Sequence, residues 1–347
     1  MLKAKYRKHT LEFITPGGTS RGVLNTKESW YIEVFEEALP DVVGVGECSI
    51  LPKLSIDDRP DFDDKLEEVC NEINQFADSY HHTLQDWPAI RFGLEMALLD
   101  LKNGGVKTIF PSAFVSGKKA IPINGLIWMG DVSYMKEQLQ QKLEDGFDCI
   151  KIKVGAIDFN TEIELIKEIR KQFSVDEIEI RVDANGAFHP DEARAKLTEL
   201  SQLGIHSIEQ PIKQGQWRKM AELCAQTPLS IALDEELIGI HEFSRKEELI
   251  KTIKPQYIIL KPSLLGGFKA SEEWVEIAEK HDVKWWATSA LEANIGLNAI
   301  AQWTAIQDNQ LPQGLGTGKV FSNNITSPLQ VQNGHLLYNQ DSWGKLP

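Results

Sequence analysis

From residue 149 onward the chain beats between short, apolar, β-branched runs and longer stretches whose apolar positions recur at helical spacing. The runs 149–154, 178–182, 205–208, 231–233 and 257–260 read as strands. The stretches 161–173, 190–203, 216–226, 241–250 and 271–281 read as helices. A charged residue stands at or just past the end of each run: Lys153, Asp183, Glu209, Asp234 and Lys261, at intervals of 30, 26, 25 and 27 positions. A strand, a helix and two short loops consume about 30 residues, so the rhythm is that of successive parallel strands. The same reading gives an earlier strand at 120–126 with a helix at 134–143. A seventh strand falls at 283–288, with a helix running through Ile306. The eighth, around 313–316, is weakly marked and has no helix after it.

The first hundred residues follow another pattern. Segments 2–14, 30–37 and 41–48 alternate in the manner of antiparallel strands, and 15–22 is a Gly-rich connection that reads equally as a lid over a site or as a plain hairpin. One helix is expected over 61–80. A second follows Pro88, with Ile90, Leu94, Ala97, Leu98 and Leu101 on one side and Gly104-Gly105 as its stop. The expected organisation is an α+β module over 1–117, an α/β barrel over 118–318, and a tail over 319–347 that returns to the first module.

Strand residues alternate faces. Lys151 and Lys153 therefore share one face, while Ile150, Ile152 and Val154 take the other; Arg181 with Asp183, and Ala232 with Asp234, repeat the split. In a closed barrel the apolar set meets the helices and the charged set converges on the axis, at the C-terminal strand ends where such barrels build their sites. Any one of these charges alone reads as a surface loop residue. Two lysines within one strand are another matter, since they are not buried without partners. Three carboxylates nearby repel one another unless a cation joins them, and a hard ion with few protein ligands is Mg²⁺.

Composition narrows the partners. A formal net charge of −14 argues against nucleic acid or an anionic membrane as a ligand. The four cysteines are scattered, which suits packing thiols in a reducing, cytoplasmic setting. The basic N-terminus runs straight into a strand pattern, so no signal peptide is expected, and no apolar stretch approaches the ~20 residues of a membrane span.

Lys-x-Lys on the second barrel strand, Asp, Glu and Asp on the next three and a lysine on the sixth resemble the enolase superfamily, muconate-lactonizing subgroup. The likeness covers nearly the whole chain and implies an α/β fold: a modified TIM barrel, (β/α)₇β, behind an N-terminal α+β capping domain. Asn124-Gly-Leu-Ile-Trp-Met-Gly130, Thr288-Ser-Ala-Leu-Glu-Ala-Asn-Ile-Gly296 and Gln313-Gly-Leu-Gly-Thr-Gly318 look most like the o-succinylbenzoate synthases of menaquinone biosynthesis. Dipeptide epimerases carry an Asp-x-Asp after the eighth strand, and here 314–318 holds no carboxylate.

The resemblance implies a small carboxylate substrate and Mg²⁺ on Asp183, Glu209 and Asp234. Lys153 becomes the acid–base group, its pKa lowered by Lys151, burial and the metal, while Lys261 acts from across the barrel. Lys151 is expected to meet the substrate carboxylate, and Arg181 to orient the metal ligands or Lys153. Asn185, Thr288 and Ser289 are expected to bond substrate, Ser289 foremost, helped by backbone N–H groups near Gly314 and Gly316. Glu235 and Glu236 read as solvated or as supports behind the ligands rather than ligands themselves, His189 and His206 as structural, and Trp285 and Trp286 as packing between barrel and helices. The same lysines and ligands also serve N-succinylamino acid racemases, so that reaction stays open, as does a homo-oligomeric state.

Overall fold

The computed structural model describes all residues except 20–21, 129, 156–157 and 340–342. The first layer is an antiparallel sheet of β1 (Leu2–Thr19), β2 (Gly22–Glu36) and β3 (Leu39–Ser49), in that order. Helices α1 (Phe62–Asn71), α2 (Ile73–Thr83) and α3 (Pro88–Lys102) cover it. The helix expected over 61–80 is two, because the backbone breaks at Glu72, with φ −107°. Most of the segment expected as a flexible lid is hairpin: Gly17 pairs with Leu24, Gly18 with Val23 and Thr19 with Gly22, while Ser20 and Arg21 lie outside the described residues.

After β4 (Ile121–Pro122) come the seven parallel strands of one sheet. They are β5 (Gly125–Ile127), β6 (Cys149–Lys153), β7 (Glu179–Asp183), β8 (Ser207–Glu209), β9 (Ser230–Leu233), β10 (Tyr257–Leu260) and β11 (Lys284–Ala287), each beside its chain neighbour. Helices α4 (Val132–Glu144), α5 (Phe159–Gln172), α6 (Pro190–Ser201), α7 (Trp217–Gln226) and α8 (Phe243–Ile253) separate the strands. Between β10 and β11 come a short α9 (Pro262–Leu265) and α10 (Phe268–Lys280), and α11 (Asn294–Ile306) follows β11. The strand expected at 120–126 starts later: Ile121–Pro122 pairs instead with the terminal hairpin of β12 (Leu329–Gln332) and β13 (His335–Tyr338).

The eighth strand is reduced to two parallel bridges, Ile123 with Gln313 and Thr288 with Gly314, and these close the barrel. Beyond it the chain runs back along β1, where Ile14 N–H donates to Val320 O and Ser322 N–H to Glu12 O. No described helix is long and apolar enough to cross a membrane.

The interior alternation follows the strand pattern. Ile150, Ile152, Ile180, Val182, Ile231 and Leu233 pack outward against helix residues such as Ile163 and Ile166 in the main core. Ala232, Ile259 and Trp286 form a separate small cluster within the barrel. Trp286, expected between barrel and helices, therefore faces inward, whereas Trp285 stacks on Trp303 of α11. Four free cysteines fit the absence of any disulfide framework.

The first module is joined to its helices by close backbone approach. A Cβ built on Gly46 of β3 would lie 1.8 Å from the carbonyl oxygen of Gly93, and one on Gly93 of α3 would lie 2.4 Å from Cys48 Sγ. Backbone cannot yield as a side chain can, so Gly46→Ala forces β3 away from α3. The expected loss is about 1–3 kcal/mol, read as a lower midpoint in urea unfolding; an unchanged midpoint contradicts the contact.

Candidate active site

The register of the parallel ladder sets the candidate residues side by side. Lys151 pairs with Arg181 and Lys153 with Asp183 across β6 and β7, and Asp183 pairs with Glu209 across β7 and β8. Asp234 follows β9 and Lys261 follows β10. The turns that end these strands are unusual. Asn185 and Gln210 hold φ of 45° and 38°, the left-handed region that non-glycine residues seldom occupy. Gln210 explains its own case: its Oε1 accepts from the backbone N–H of Asp234 and Glu236, and its Nε2 donates to Ile212 O and Glu236 Oε2. One side chain thus ties the Glu209 strand end to the Asp234 strand end.

Lysines and carboxylates interleave at the barrel mouth. Lys151 Nζ donates to Asp183 Oδ2 at 3.2 Å and to Glu209 Oε2 at 2.9 Å. Lys153 Nζ donates to Asp183 Oδ2 and, at 2.8 Å, to Asn185 Oδ1. Lys261 Nζ bonds Asp234 Oδ2 and lies 3.8 Å from Glu209 Oε1. All three carboxylates are buried, as are Lys151 and Lys261. Burial alone would raise Asp183, but Lys153, Lys151 and Lys261 outweigh it and hold the carboxyl below its ordinary range. Burial, then repulsion from Asp183, pushes Glu209 up to about 8. Lys151 and Lys261 are shifted upward because their carboxylate neighbours overcome the burial that would lower them.

The three acidic side chains are bridged pairwise by ammonium groups. Among the described residues no three His, Cys, Asp or Glu side chains are drawn together as a ready metal cage. The donor set nevertheless suits a hard cation. Glu209 Oε1 is buried without a hydrogen-bond partner, and its carboxylate is destabilised by Asp183 and Asp234 on either side. An all-oxygen set of this kind is what Mg²⁺ takes.

Above the charges lies a pocket whose wall includes Lys151, Lys153, Lys261, Asn185 and Thr288, with Leu51 from the first module and Trp128 after β5. Gly314 and Gly316 also line it. Thr288 Oγ1 is buried there without a hydrogen-bond partner, and a Cβ on Gly314 would come 2.5 Å from it, so glycine is what leaves that hydroxyl room.

Several residues expected to meet substrate have protein partners in this structure. Ser289 Oγ donates to Glu292 Oε2 and accepts from Leu291 N–H and Thr317 Oγ1, which leaves the hydroxyl fully engaged, whereas Thr288 Oγ1 has no hydrogen bond. Gly314 N–H is spent on Ala287 O in closing the barrel, so it cannot serve a carboxylate. Asn185 is also committed, holding Lys153 by Oδ1 and donating from Nδ2 to Glu235 Oε1. Lys151 faces two carboxylates, as a bridge between them.

Arg181 points down the barrel. Its Nε donates to Glu179, its NH1 to Pro312 O, and its guanidinium lies 4.2 Å from the Trp286 ring centroid. A residue two positions earlier on the same face sits one layer lower, and the flat guanidinium settles on the inward indole. Glu235 supports the site from behind the expected ligands. It is buried, accepts from Asn185, and is among the charges that raise Lys261. Its only sequence signal is the place next to Asp234.

Residues 134–342 match the family described as enolase C-terminal domain-like. The chain is 45% identical to the o-succinylbenzoate synthase of Desulfotalea psychrophila, over 96% of this chain and 98% of that protein. The crystal structure of MenC from the same organism aligns with a TM-score of 0.85 at 43% identity, covering 97% of this chain and 99% of that one. A dipeptide epimerase from Enterococcus faecalis, complexed with Mg and L-Leu-L-Tyr, gives a TM-score of 0.85 at 20% identity, over 99% and 98% of the two chains, and so shares the fold.

The two neighbouring hydroxyls make opposite predictions for stability. Replacing an unpartnered buried hydroxyl by a methyl of the same shape is near neutral or stabilising, so Thr288→Val leaves the melting temperature unchanged or higher. Ser289→Ala strands Glu292 and Thr317 and costs about 1–3 kcal/mol. Thermal unfolding of the pair checks this, and a larger loss in Thr288→Val reverses the assignment.

Proposed function

Because the chain belongs to the enolase superfamily, we propose that it is a lyase catalysing the o-succinylbenzoate synthase reaction, the dehydration of 2-succinyl-6-hydroxy-2,4-cyclohexadiene-1-carboxylate to 2-succinylbenzoate. The 45% identity to a relative of that name along nearly the full chain supports the choice of reaction. The observation that carries the chemistry is that Lys153 and Lys261, from the second and sixth barrel strands, line one pocket from opposite sides.

Dehydration needs one proton removed from the carbon that bears the carboxylate and one returned to the departing hydroxyl. Lys153 is the acid–base group. Its neutral amine takes the proton, the electron pair moves into the ring, the C–O bond breaks, and the same ammonium gives its proton to the hydroxyl, which leaves as water. One residue on one face of the ring performs both halves, so the elimination is syn. Asp183 and Asn185 hold that amine at the barrel mouth.

Lys261 stands across the ring, where a buried ammonium kept charged by Asp234 and Glu209 stabilises the ring as negative charge spreads over it. Thr288 lines the same pocket. Asp183, Glu209 and Asp234 are the residues that would hold Mg²⁺. Bound there, Mg²⁺ supplies positive charge opposite the substrate carboxylate as the proton leaves.

The opposed lysines are also the arrangement that racemisation of an N-succinylamino acid requires, with one amine on each face of Cα. Lys153→Ala is expected to abolish formation of the aromatic product, measured by its absorbance, and activity within tenfold of wild type removes Lys153 from the role. Lys261→Ala lowers dehydration through lost charge stabilisation. It abolishes deuterium exchange at Cα of an N-succinylamino acid if that activity coexists. Chelation of divalent metal is expected to stop turnover while the far-UV circular dichroism stays unchanged. Unfolding on chelation contradicts a metal bound for chemistry alone.

A further inference from the structure

The seam between the first module and the barrel contains a buried carboxylate that serves a helix far away in sequence. Glu47, on β3, is fully buried. Its Oε1 accepts from Ser29 Oγ at 2.8 Å and from Ala293 N–H at 2.7 Å, and its Oε2 accepts from Gly296 N–H at 2.8 Å. Ala293 is the N-cap position of α11, and its methyl offers no acceptor. The first N–H groups of a helix need partners, which a Ser, Thr, Asp or Asn at the cap ordinarily provides. Here the partner comes from another layer of the molecule. Gly296 fits the same purpose, since a Cβ there would come 3.0 Å from Glu47 Oε2.

The helix end capped in this way adjoins the pocket wall. Glu292 accepts from Ser289 Oγ and Ala290 N–H, and also from Ser263, two residues after Lys261. Leu291, between them and on the pocket wall, holds a left-handed φ of 64°, which its surroundings must enforce. On the other side of the seam the buried Lys27 of β2 bonds Ser49 and feels both Glu47 and Glu292. The segment from Thr288 to Ala293 is thus pinned from the barrel side by Glu292 and from the first module by Glu47. The first module itself supplies Leu51 to the pocket.

We propose that Glu47 is a positioning residue of the active site: by holding the start of α11 it fixes the first module, and Leu51 with it, against the Thr288–Ala293 wall in the arrangement that captures substrate. This rests on the dehydratase reading above. Glu47 touches no reacting atom and acts through the wall it holds.

The test uses Glu47→Gln, alone and combined with Ala293→Ser, in the full chain. The amide turns a donor toward one of the two helix N–H groups. Wild type must first convert the cyclohexadiene carboxylate; if it does not, the dehydratase reading fails and the seam is judged on hydrogen exchange alone. With wild type active, Glu47→Gln is expected to raise KM about tenfold or more with kcat changed less than threefold, and to speed amide exchange across residues 288–297. The added serine supplies α11 with a local cap. It is expected to restore the melting temperature while KM stays high, and Glu47→Asp, which keeps the charge, is expected to recover part of the affinity. If Glu47 only caps a helix, KM returns to the wild-type value with the serine. That result, or unchanged KM and exchange in Glu47→Gln, overturns the proposal. Should the single variant not fold, the double variant carries the same comparison.

Discussion

Burying charge is costly unless each charge finds an opposite one, and the barrel mouth is built around that constraint. Three carboxylates and two lysines are nearly excluded from water there, with the more open Lys153 beside them. Their arrangement alternates sign around the ring of strands: Lys153 on Asp183, Lys151 between Asp183 and Glu209, Lys261 between Glu209 and Asp234. Removing one partner from such a set leaves an uncompensated charge, which is far more damaging than replacing a matched pair. The set therefore stands as a unit, and the backbone around it is specialised to hold it, through the left-handed turns at Asn185 and Gln210 and the cross-strand bonds of the Gln210 amide.

The same unit underlies the proposed division of proton transfer and charge stabilisation between Lys153 and Lys261. Lys153 ends β6 and Lys261 directly follows β10, four strands away in the same sheet, so the ladder brings both lysines to one pocket. Glu209 is the weak point of the arrangement, its Oε1 without a hydrogen bond and its carboxylate repelled by Asp183 and Asp234. Conformational strain elsewhere in the mouth, at Leu291, is held by Glu292 and by Glu47 from the first module.

Much of this was legible in the chain because a strand's period is two. Alternation alone separates Lys151, Lys153, Asp183 and Asp234 from the isoleucines and valines between them, and the 25-to-30-residue rhythm orders the strands. Alternation does not give height along the axis, which is why Arg181 shares a face with Asp183 yet serves the barrel floor. Nor does it show which polar groups satisfy one another. Thr288 and Ser289 look interchangeable in sequence, and only the packing of Glu292 and Thr317 around Ser289 separates them. Glu47 caps a helix whose N-cap residue lies 246 positions later, a pairing that no local pattern announces. The helix break at Glu72 and the inward turn of Trp286 belong to the same class, decided by what packs alongside.

In the proposed site the three carboxylates share one divalent ion while the two amines flank the bound molecule. Anomalous scattering from a crystal grown with Mn²⁺ and 2-succinylbenzoate tests it most directly. The account predicts a single strong peak bounded by Asp183, Glu209 and Asp234, with Lys153 and Lys261 on opposite faces of the ring. A peak elsewhere, or a ring with both amines on one side, contradicts it.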